Sequence, residues 1–290
     1  MAQEMGPRLD PSTLLLAPLP RQCQPNDRGH NSIGDWHWKS RRHVTALHSF
    51  GAGYRAAVFG ASGGIGAALV ALLQADEHCA SVHAGARVTP GAGAKLLPFA
   101  FDLEDEGSIS VAAQEIAARS RELDLVIVAT GLLHDGALVP EKTMRALGGA
   151  DLARLYAINA IGPALIAKHM LPLLSRERKS VFAALSARVG SIADNRLGGW
   201  HGYRASKAAL NQLIRTCAIE LAMKNKRAIC VTLHPGTVDT GLSRPFQAAV
   251  RPDALFSAPT SAAHLLQVID GLTASQSGQL LAWDGRTIPF

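Results

Sequence analysis

Residues 56–66 read Ala-Ala-Val-Phe-Gly-Ala-Ser-Gly-Gly-Ile-Gly, and the fold follows from them. The apolar run into Gly60 has the composition of a short strand, and Gly63 to Gln74 forms a helical pattern with Ile65, Leu69, Leu72 and Leu73 on one side. Between them, Gly60, Gly64 and Gly66 let the backbone bend sharply and approach a pyrophosphate. Its charge is then met by amide groups and by the positive end of the following helix. Ser62 adds a hydroxyl, and Ile65 lies within the same turn. Glycine-rich turns are common, so the motif gains its weight from context: a strand directly before it and an amphipathic helix directly after. A plain tight turn is the alternative.

Outward from this turn, short apolar runs alternate with amphipathic segments. Strands are expected near 81–86, 96–101, 123–129, 181–185, 228–233 and 279–283, with helices near 108–120, 151–174 and 261–269 and another carrying Tyr203. Leu123-Asp-Leu-Val-Ile-Val-Ala129 is nearly continuous in apolar residues, as for a strand covered on both faces. The alternation predicts an α/β fold: one doubly wound Rossmann domain, with a parallel sheet of about seven strands and helices on both sides. The ligand crevice of such a sheet lies at the carboxyl ends of the strands, where strand order reverses.

The chain has 290 residues, 48% of them hydrophobic, enough for a full core. Residues 1–52 differ from the rest: Pro7, Pro11, Pro18, Pro20 and Pro25 interrupt any period, and ten of these residues are Lys, Arg or His. They read as a disordered extension before a catalytic domain at 53–290, with an over-extended reading frame as another account. Trp36 and Trp38 are candidates to pack on the body, and Glu4, Asp10, Asp27 and Asp35 argue against a transit peptide. The net charge of +6 comes without a basic stripe interleaved with aromatics, so nucleic acid is not expected as a partner. Cys23, Cys79, Cys217 and Cys230 lie far apart, which suits reduced thiols and a cytoplasmic setting and leaves no metal site. No apolar run is long enough for a membrane span.

A second stretch carries chemistry. Tyr203-Arg-Ala-Ser-Lys207 places a phenol and an ammonium one helical turn apart. The neighbouring charge is expected to lower the phenol pKa, making Tyr203 a proton donor and acceptor near neutrality. An ordinary surface helix would carry the same pair. At the tip of the second strand stands Arg87, with no Asp or Glu beside it. An arginine there attracts a ribose 2′-phosphate, whereas an acid would repel it, which favours NADP over NAD; a solvated arginine at a strand end is the alternative.

Taken together, Gly60-x-x-x-Gly64-x-Gly66 and Tyr203-x-x-x-Lys207 resemble the short-chain dehydrogenase/reductase superfamily over roughly residues 55–285. Phe101-Asp102-Leu103 resembles the strand end that meets adenine, and Ile158-Asn159-Ala-Ile-Gly162 resembles the family's Asn-x-x-Gly. His234-Pro-Gly-Thr-Val-Asp-Thr240 resembles the loop that cups nicotinamide, implying Pro235, Gly236, Val238 and Thr240 as cofactor contacts. The wording around Leu185–Ile192 and Gly198–Asn211 is most similar to the C-factor and sniffer-type carbonyl reductase branch.

Two departures stand out. Ala129-Thr130-Gly131 replaces the usual Asn-Asn-Ala-Gly, with Thr130 retaining a hydroxyl for structural bonding, so that cofactor binding at these three residues is expected to survive. At the end of the fifth strand Ala187 occupies the place of the expected serine, leaving Ser186 and Ser191 as candidates. Ser191, twelve residues before Tyr203, is preferred slightly. Either serine can instead cap the loop.

The resemblance implies hydride transfer between nicotinamide and a carbonyl or secondary alcohol, with Tyr203 as general acid or base and Lys207 tuning it and binding ribose. A serine would hold the carbonyl oxygen, and Asn159 a water leading to Lys207. His134, His201 and His234 form a competing set without metal-ligand spacing. The segment from Arg244 to Pro259 takes the place of a lid, and its Phe246, Val250, Leu255 and Phe256 suggest an apolar substrate or simply its own packing. The long helices at 151–174 and 202–224 imply, by analogy, a homodimer or homotetramer. The alternative is a C-factor-like signalling protein that binds NAD(P) with little turnover.

Overall fold

The computed structural model describes residues 46–290. Expectations for the proline-rich segment before them, including Trp36 and Trp38, lie outside the described residues.

In chain order the elements are β1 (Tyr54–Phe59), α1 (Gly64–Ala75), β2 (Cys79–Ala86), β3 (Leu96–Ala100), α2 (Glu106–Arg119) and β4 (Leu125–Val128). Then come α3 (Gly149–Tyr156), a π-helical turn (Ala157–Ile161), α4 (Gly162–Met170), β5 (Ser180–Leu185), α5 (His201–Lys224) and β6 (Ala228–His234). The chain ends with β7 (Thr237–Val238), β8 (Leu255–Phe256), α6 (Ala258–Gly271), β9 (Leu280–Ala282) and β10 (Thr287–Ile288).

The main sheet has eight strands in the order β10-β9-β6-β5-β4-β1-β2-β3. β10 pairs antiparallel to β9, and the other seven strands run parallel. The sheet therefore exceeds the expected seven by one two-residue edge strand, too short to show a period of its own. Strand order reverses between β1 and β4, which are neighbours. Their carboxyl ends, Gly60 and Ala129–Gly131, form the crevice.

Alternation along the strands builds two layers. Ala56 and Val58 of β1 with Leu125 and Ile127 of β4 face Leu69 and Leu73 of α1 and Leu265 and Ile269 of α6. Ala57, Phe59, Val126 and Val128 face the other way, onto Ile109 of α2, Ile166 of α4 and Leu210 and Ile214 of α5. With both faces covered, strand residues of either parity must be apolar, which explains the unbroken runs in the sequence.

The folded body starts before the boundary expected at residue 53. Leu47 and Phe50 are buried in the α1–α6 layer. The Leu47 amide donates to the buried carboxylate of Asp76, which also accepts from the Tyr54 hydroxyl at 2.7 Å. Two anchors separated by three residues leave no periodic signal, so the basic, proline-rich context hid them.

Candidate active site

The glycine turn is shaped by backbone-to-backbone approach. Gly60 has φ of 92°, a left-handed value that favours glycine. A Cβ on Gly66 would stand 2.0 Å from the Gly60 carbonyl oxygen, and one on Gly64 would meet the Thr240 methyl at 2.8 Å. The turn is thus packed against the loop after β6. Helix α1 starts at Gly63 without a side-chain cap, so its first amides face outward. Ile65, included in the expected turn, is instead partly buried and packs on the α1–α6 core.

Along the crevice runs a cavity of about 320 Å³, lined among others by Gly60, Ser62, Arg87, Asp102, Leu103, Ala129, Thr130 and Gly131. The Thr130 hydroxyl is buried and has no hydrogen-bond partner among the described residues. A polar cleft at a helix start, with an orphaned hydroxyl, a backbone cradle and a cation at the second strand tip, fits a nicotinamide dinucleotide. Leu103 packs against α4: a Cβ on Gly162 would meet its Cγ at 2.4 Å, which accounts for the glycine of Asn159-x-x-Gly162. Asp135, which the sequence offers with His134 as shaping the substrate mouth, also lines this cavity and is ion-paired to Arg154; Arg154 and Glu104 line it too and carried no sequence signal. Pro235 and Gly236 lie between β6 and β7, Val238 within β7 and Thr240 just after it, and none of them lines the cavity. Gly236 has φ of 80° and is backed by Phe256 and Trp283.

Tyr203 and Lys207 share the inward face of α5 with Leu210 and Ile214. The Lys207 ammonium donates to the Leu185 carbonyl at 2.9 Å. Asn159 sits in the π-helical turn, where its amide accepts from Leu132 N at 2.8 Å and donates to Leu132 O at 2.7 Å and to Ser206 Oγ at 3.1 Å. Its side chain therefore pins the loop after β4. A Cβ placed on Gly131 would lie 3.6 Å from both Asn159 Oδ1 and Lys207 Nζ, so the two groups converge on the crevice.

The electrostatics differ from the expectation. Burial raises the Tyr203 phenol and pushes the Lys207 ammonium down to about 8, because both charges lose hydration. Desolvation accounts for both shifts, so the lowering of the phenol by Lys207 expected from their spacing is not seen.

The two serines do not meet the phenol. The Ser191 hydroxyl donates to the Pro289 carbonyl and accepts from Asp194 N at 3.1 Å. It lines a separate cavity of about 1040 Å³ beside Arg204, Ala208 and Gln212, the face of α5 opposite Tyr203. The buried Ser186 hydroxyl donates to Asn211 Oδ1 at 2.7 Å. The side chain at the β5 end that packs with Tyr203 is Ala187, together with Val189, Leu133, Trp200, Leu242 and Phe246. The preference for Ser191 is therefore corrected, and Ser186 is engaged by Asn211.

The three histidines lie apart. His134 Nε2 is 3.0 Å from the Gly241 carbonyl, His201 lines the larger cavity, and burial pushes His234 down to about 4. Sequence reasoning missed Glu141, whose buried carboxylate accepts from Gly202 N at the start of α5. A lone Pro-Glu in a loop offers no signal for such a cap.

The short chain dehydrogenase family model matches residues 55–251. The C-signal protein of Myxococcus xanthus is 38% identical over 141 residues, covering 49% of this chain and 80% of that protein. Short-chain dehydrogenase srdF of Neurospora crassa is 32% identical over 204 residues, covering 68% of this chain and 78% of that protein. An NADPH-bound carbonyl reductase from chicken fatty liver superposes with a TM-score of 0.72 at 26% identity, over 82% of this chain and 100% of that one. The carbonyl reductase Sniffer of D. melanogaster shares the fold, with a TM-score of 0.72 at 22% identity, over 82% of this chain and 100% of that one.

Proposed function

This chain belongs to the short-chain dehydrogenase family and is an NAD(P)-dependent oxidoreductase, and from that premise we propose that it is an NADP-preferring reductase of carbonyl compounds, with Tyr203 as its proton donor. The observation that carries the reading is the convergence of Lys207 Nζ and Asn159 Oδ1 on Gly131, at the switch point of the sheet and on the Tyr203 face of α5.

The bound nicotinamide supplies the hydride. In reduction, Tyr203 passes its phenolic proton to the alkoxide oxygen; in oxidation it removes the alcohol proton. With a pKa of about 8, Lys207 remains mostly protonated at neutral pH and stabilises the phenolate left behind. Asn159, anchored on Leu132, fixes the crevice wall beside the ammonium. With Ser186 and Ser191 engaged elsewhere and Ala187 beside the phenol, Tyr203 holds the carbonyl oxygen without a serine partner. Ser62 and the first amides of α1 take the pyrophosphate, Thr130 bonds the cofactor beside β4, Asp102 and Leu103 flank the adenine, and Arg87 takes the 2′-phosphate. Pro235, Gly236, Val238 and Thr240 form the wall against nicotinamide.

Tyr203→Phe should abolish NADPH oxidation by every aldehyde and ketone tried while NADPH binding persists. Activity equal to wild type would sink the mechanism, and NADPH binding without turnover of any carbonyl by the wild-type protein would favour the signalling alternative. Arg87→Ala should weaken NADPH and leave NADH unchanged; equal loss of both removes the 2′-phosphate assignment.

Among the described residues no helix is long and apolar enough to cross a membrane. The buried thiols Cys79 and Cys230 are free, which supports a cytoplasmic setting. Exposed Ile161, Leu213, Ile219 and Met223 on the π-turn and α5 support a homodimer or homotetramer, which sedimentation of the purified protein would test.

A further inference from the structure

The loop before α5 holds Trp200 in a backbone conformation that its side chain resists. Gly198, Gly199 and Trp200 have φ of 63°, 64° and 52°, three left-handed residues in a row. Glycine adopts this freely; a tryptophan does so only when its surroundings enforce it, and such enforced strain gathers at functional sites. Here the enforcement is visible. The Trp200 amide donates to the Glu141 carbonyl, and the Glu141 carboxylate accepts from Gly202 N at 3.2 and 3.3 Å. On the far side, the Arg204 amide donates to the Trp200 carbonyl at 2.9 Å.

The result is an indole standing edge-on to the Tyr203 phenol, with ring centroids 6.3 Å apart and planes at 74°. Its other neighbour is Phe246, at 5.1 Å, which in turn meets His134 at 5.7 Å. Tyr203 is buried beneath these rings. A carbonyl held at its hydroxyl therefore lies against this cluster. Trp200 is tied on both sides, whereas Phe246 rides on a short 3-10 segment, Arg244–Ala249, that follows Pro-free Gly241–Ser243. Three arginines of the surrounding segments are engaged: Arg188 pairs with Asp194 at 2.6 Å, Arg154 with Asp135, and Arg204 donates to the Gly199 carbonyl at 2.9 Å.

We infer that Trp200 is a specificity-determining residue, the fixed wall of a ring seat that Phe246 fills, and that the substrate is an uncharged carbonyl compound whose apolar ring takes the place of Phe246. The inference rests on the reductase reading above. Edge-to-face contacts such as those Phe246 makes would be offered to an incoming ring of similar size, and the apolar surroundings formed by Leu133, Leu242 and Phe246 disfavour burial of a carboxylate.

The test uses the full chain with NADPH and three aldehydes: 4-nitrobenzaldehyde, propanal and 4-carboxybenzaldehyde. Trp200→Gly suits the left-handed backbone, so the loop persists while the wall is lost. It should raise KM for the nitro compound by about 10-fold or more and change propanal by less than about 3-fold. Phe246→Ala should lower KM for the nitro compound. A second readout is independent of turnover: benzamide, which is not reduced, should raise the melting temperature of the NADPH-saturated wild type and not of Trp200→Gly. The seat is overturned if Trp200→Gly affects both uncharged aldehydes equally, if the carboxylated aldehyde is preferred, or if benzamide has no effect on the wild type. Should benzamide stabilise the protein while no carbonyl oxidises NADPH, the reductase reading falls and the ring seat stands; propanal turnover with no response to ring compounds gives the reverse.

Discussion

Lys207→Met removes a buried ammonium and keeps an unbranched side chain of similar length. Lys207 is 3% exposed, its pKa is pushed down from 10.5 to about 8 by burial, and its Nζ donates to the Leu185 carbonyl at 2.9 Å. A depression of that size means that folding disfavours the charged form by about 3 kcal/mol at neutral pH. Leaving the Leu185 carbonyl without its donor returns about 1–2 kcal/mol of that. The variant should therefore be about 1–2 kcal/mol more stable than wild type at pH 7, although its turnover falls by about 10²-fold or more through loss of the charge beside Tyr203. The sign with pH follows from the depressed value. The lysine's contribution is fully favourable above the unfolded pKa of 10.5 and is lost as pH falls through about 8. Wild type thus gains on the variant between those values, and the variant's advantage shrinks on raising pH from 7 to 10. Urea unfolding of both proteins at pH 7, 8, 9 and 10, followed by circular dichroism, measures the gap. A variant less stable than wild type at pH 7 by more than about 1 kcal/mol, or an advantage that does not change with pH, would refute the assignment of a desolvated catalytic lysine.

Gly66→Ala should destabilise the fold by about 2 kcal/mol or more and abolish NADPH binding, because its Cβ would sit 2.0 Å from backbone at Gly60. Gly63→Ala, where the same atom would lie at 3.4 Å, should be mild in both thermal unfolding and NADPH fluorescence titration. Ser191→Ala should leave kcat within about 3-fold of wild type, whereas Ala187→Ser should raise kcat/KM by about 10-fold by adding a donor beside the phenol; steady-state rates reversing that order would restore Ser191 to the site. His83, buried and bonded to Ser120 Oγ at 2.8 Å, is pushed down to about 4 by burial and by Arg119. Its contribution is present above the ordinary histidine pKa of 6.5 and lost as pH falls toward 4, so His83→Gln should flatten the dependence of unfolding free energy on pH across that window by up to about 1.4 kcal/mol per unit.

The contrast between Lys207 and Ser191 shows what a sequence can convey about a site. Tyr203 and Lys207 lie within one helix, where geometry is set by the chain itself, so a spacing of four guarantees a shared face. Gly60 and Gly66 are legible for a similar reason: the contact between them is local, and a side chain at the second would strike the first. Ser191 also stands at a suggestive spacing from Tyr203, but the 3-10 turn Arg188–Gly190 and the glycine-rich loop to Trp200 intervene. Through such a segment distance along the chain carries no direction, and Ser191 emerges on the far face of α5, bonded to Pro289. Leu47, β10 and Glu141 share this failing, since each matters only through a partner remote in sequence: Asp76, β9 and the start of α5. The phenol raised by burial belongs to the same class. Charge on Lys207 can be read from a letter, but the loss of water around Tyr203 is a property of the packed cluster, to which Leu133, Leu138 and Leu155 contribute from two other segments of chain. Local geometry thus identifies the family and pairs Tyr203 with Lys207 on one helix face, while the bonding of the two serines, the rings packed around the phenol and the cost of the lysine are set by contacts that only the folded chain creates.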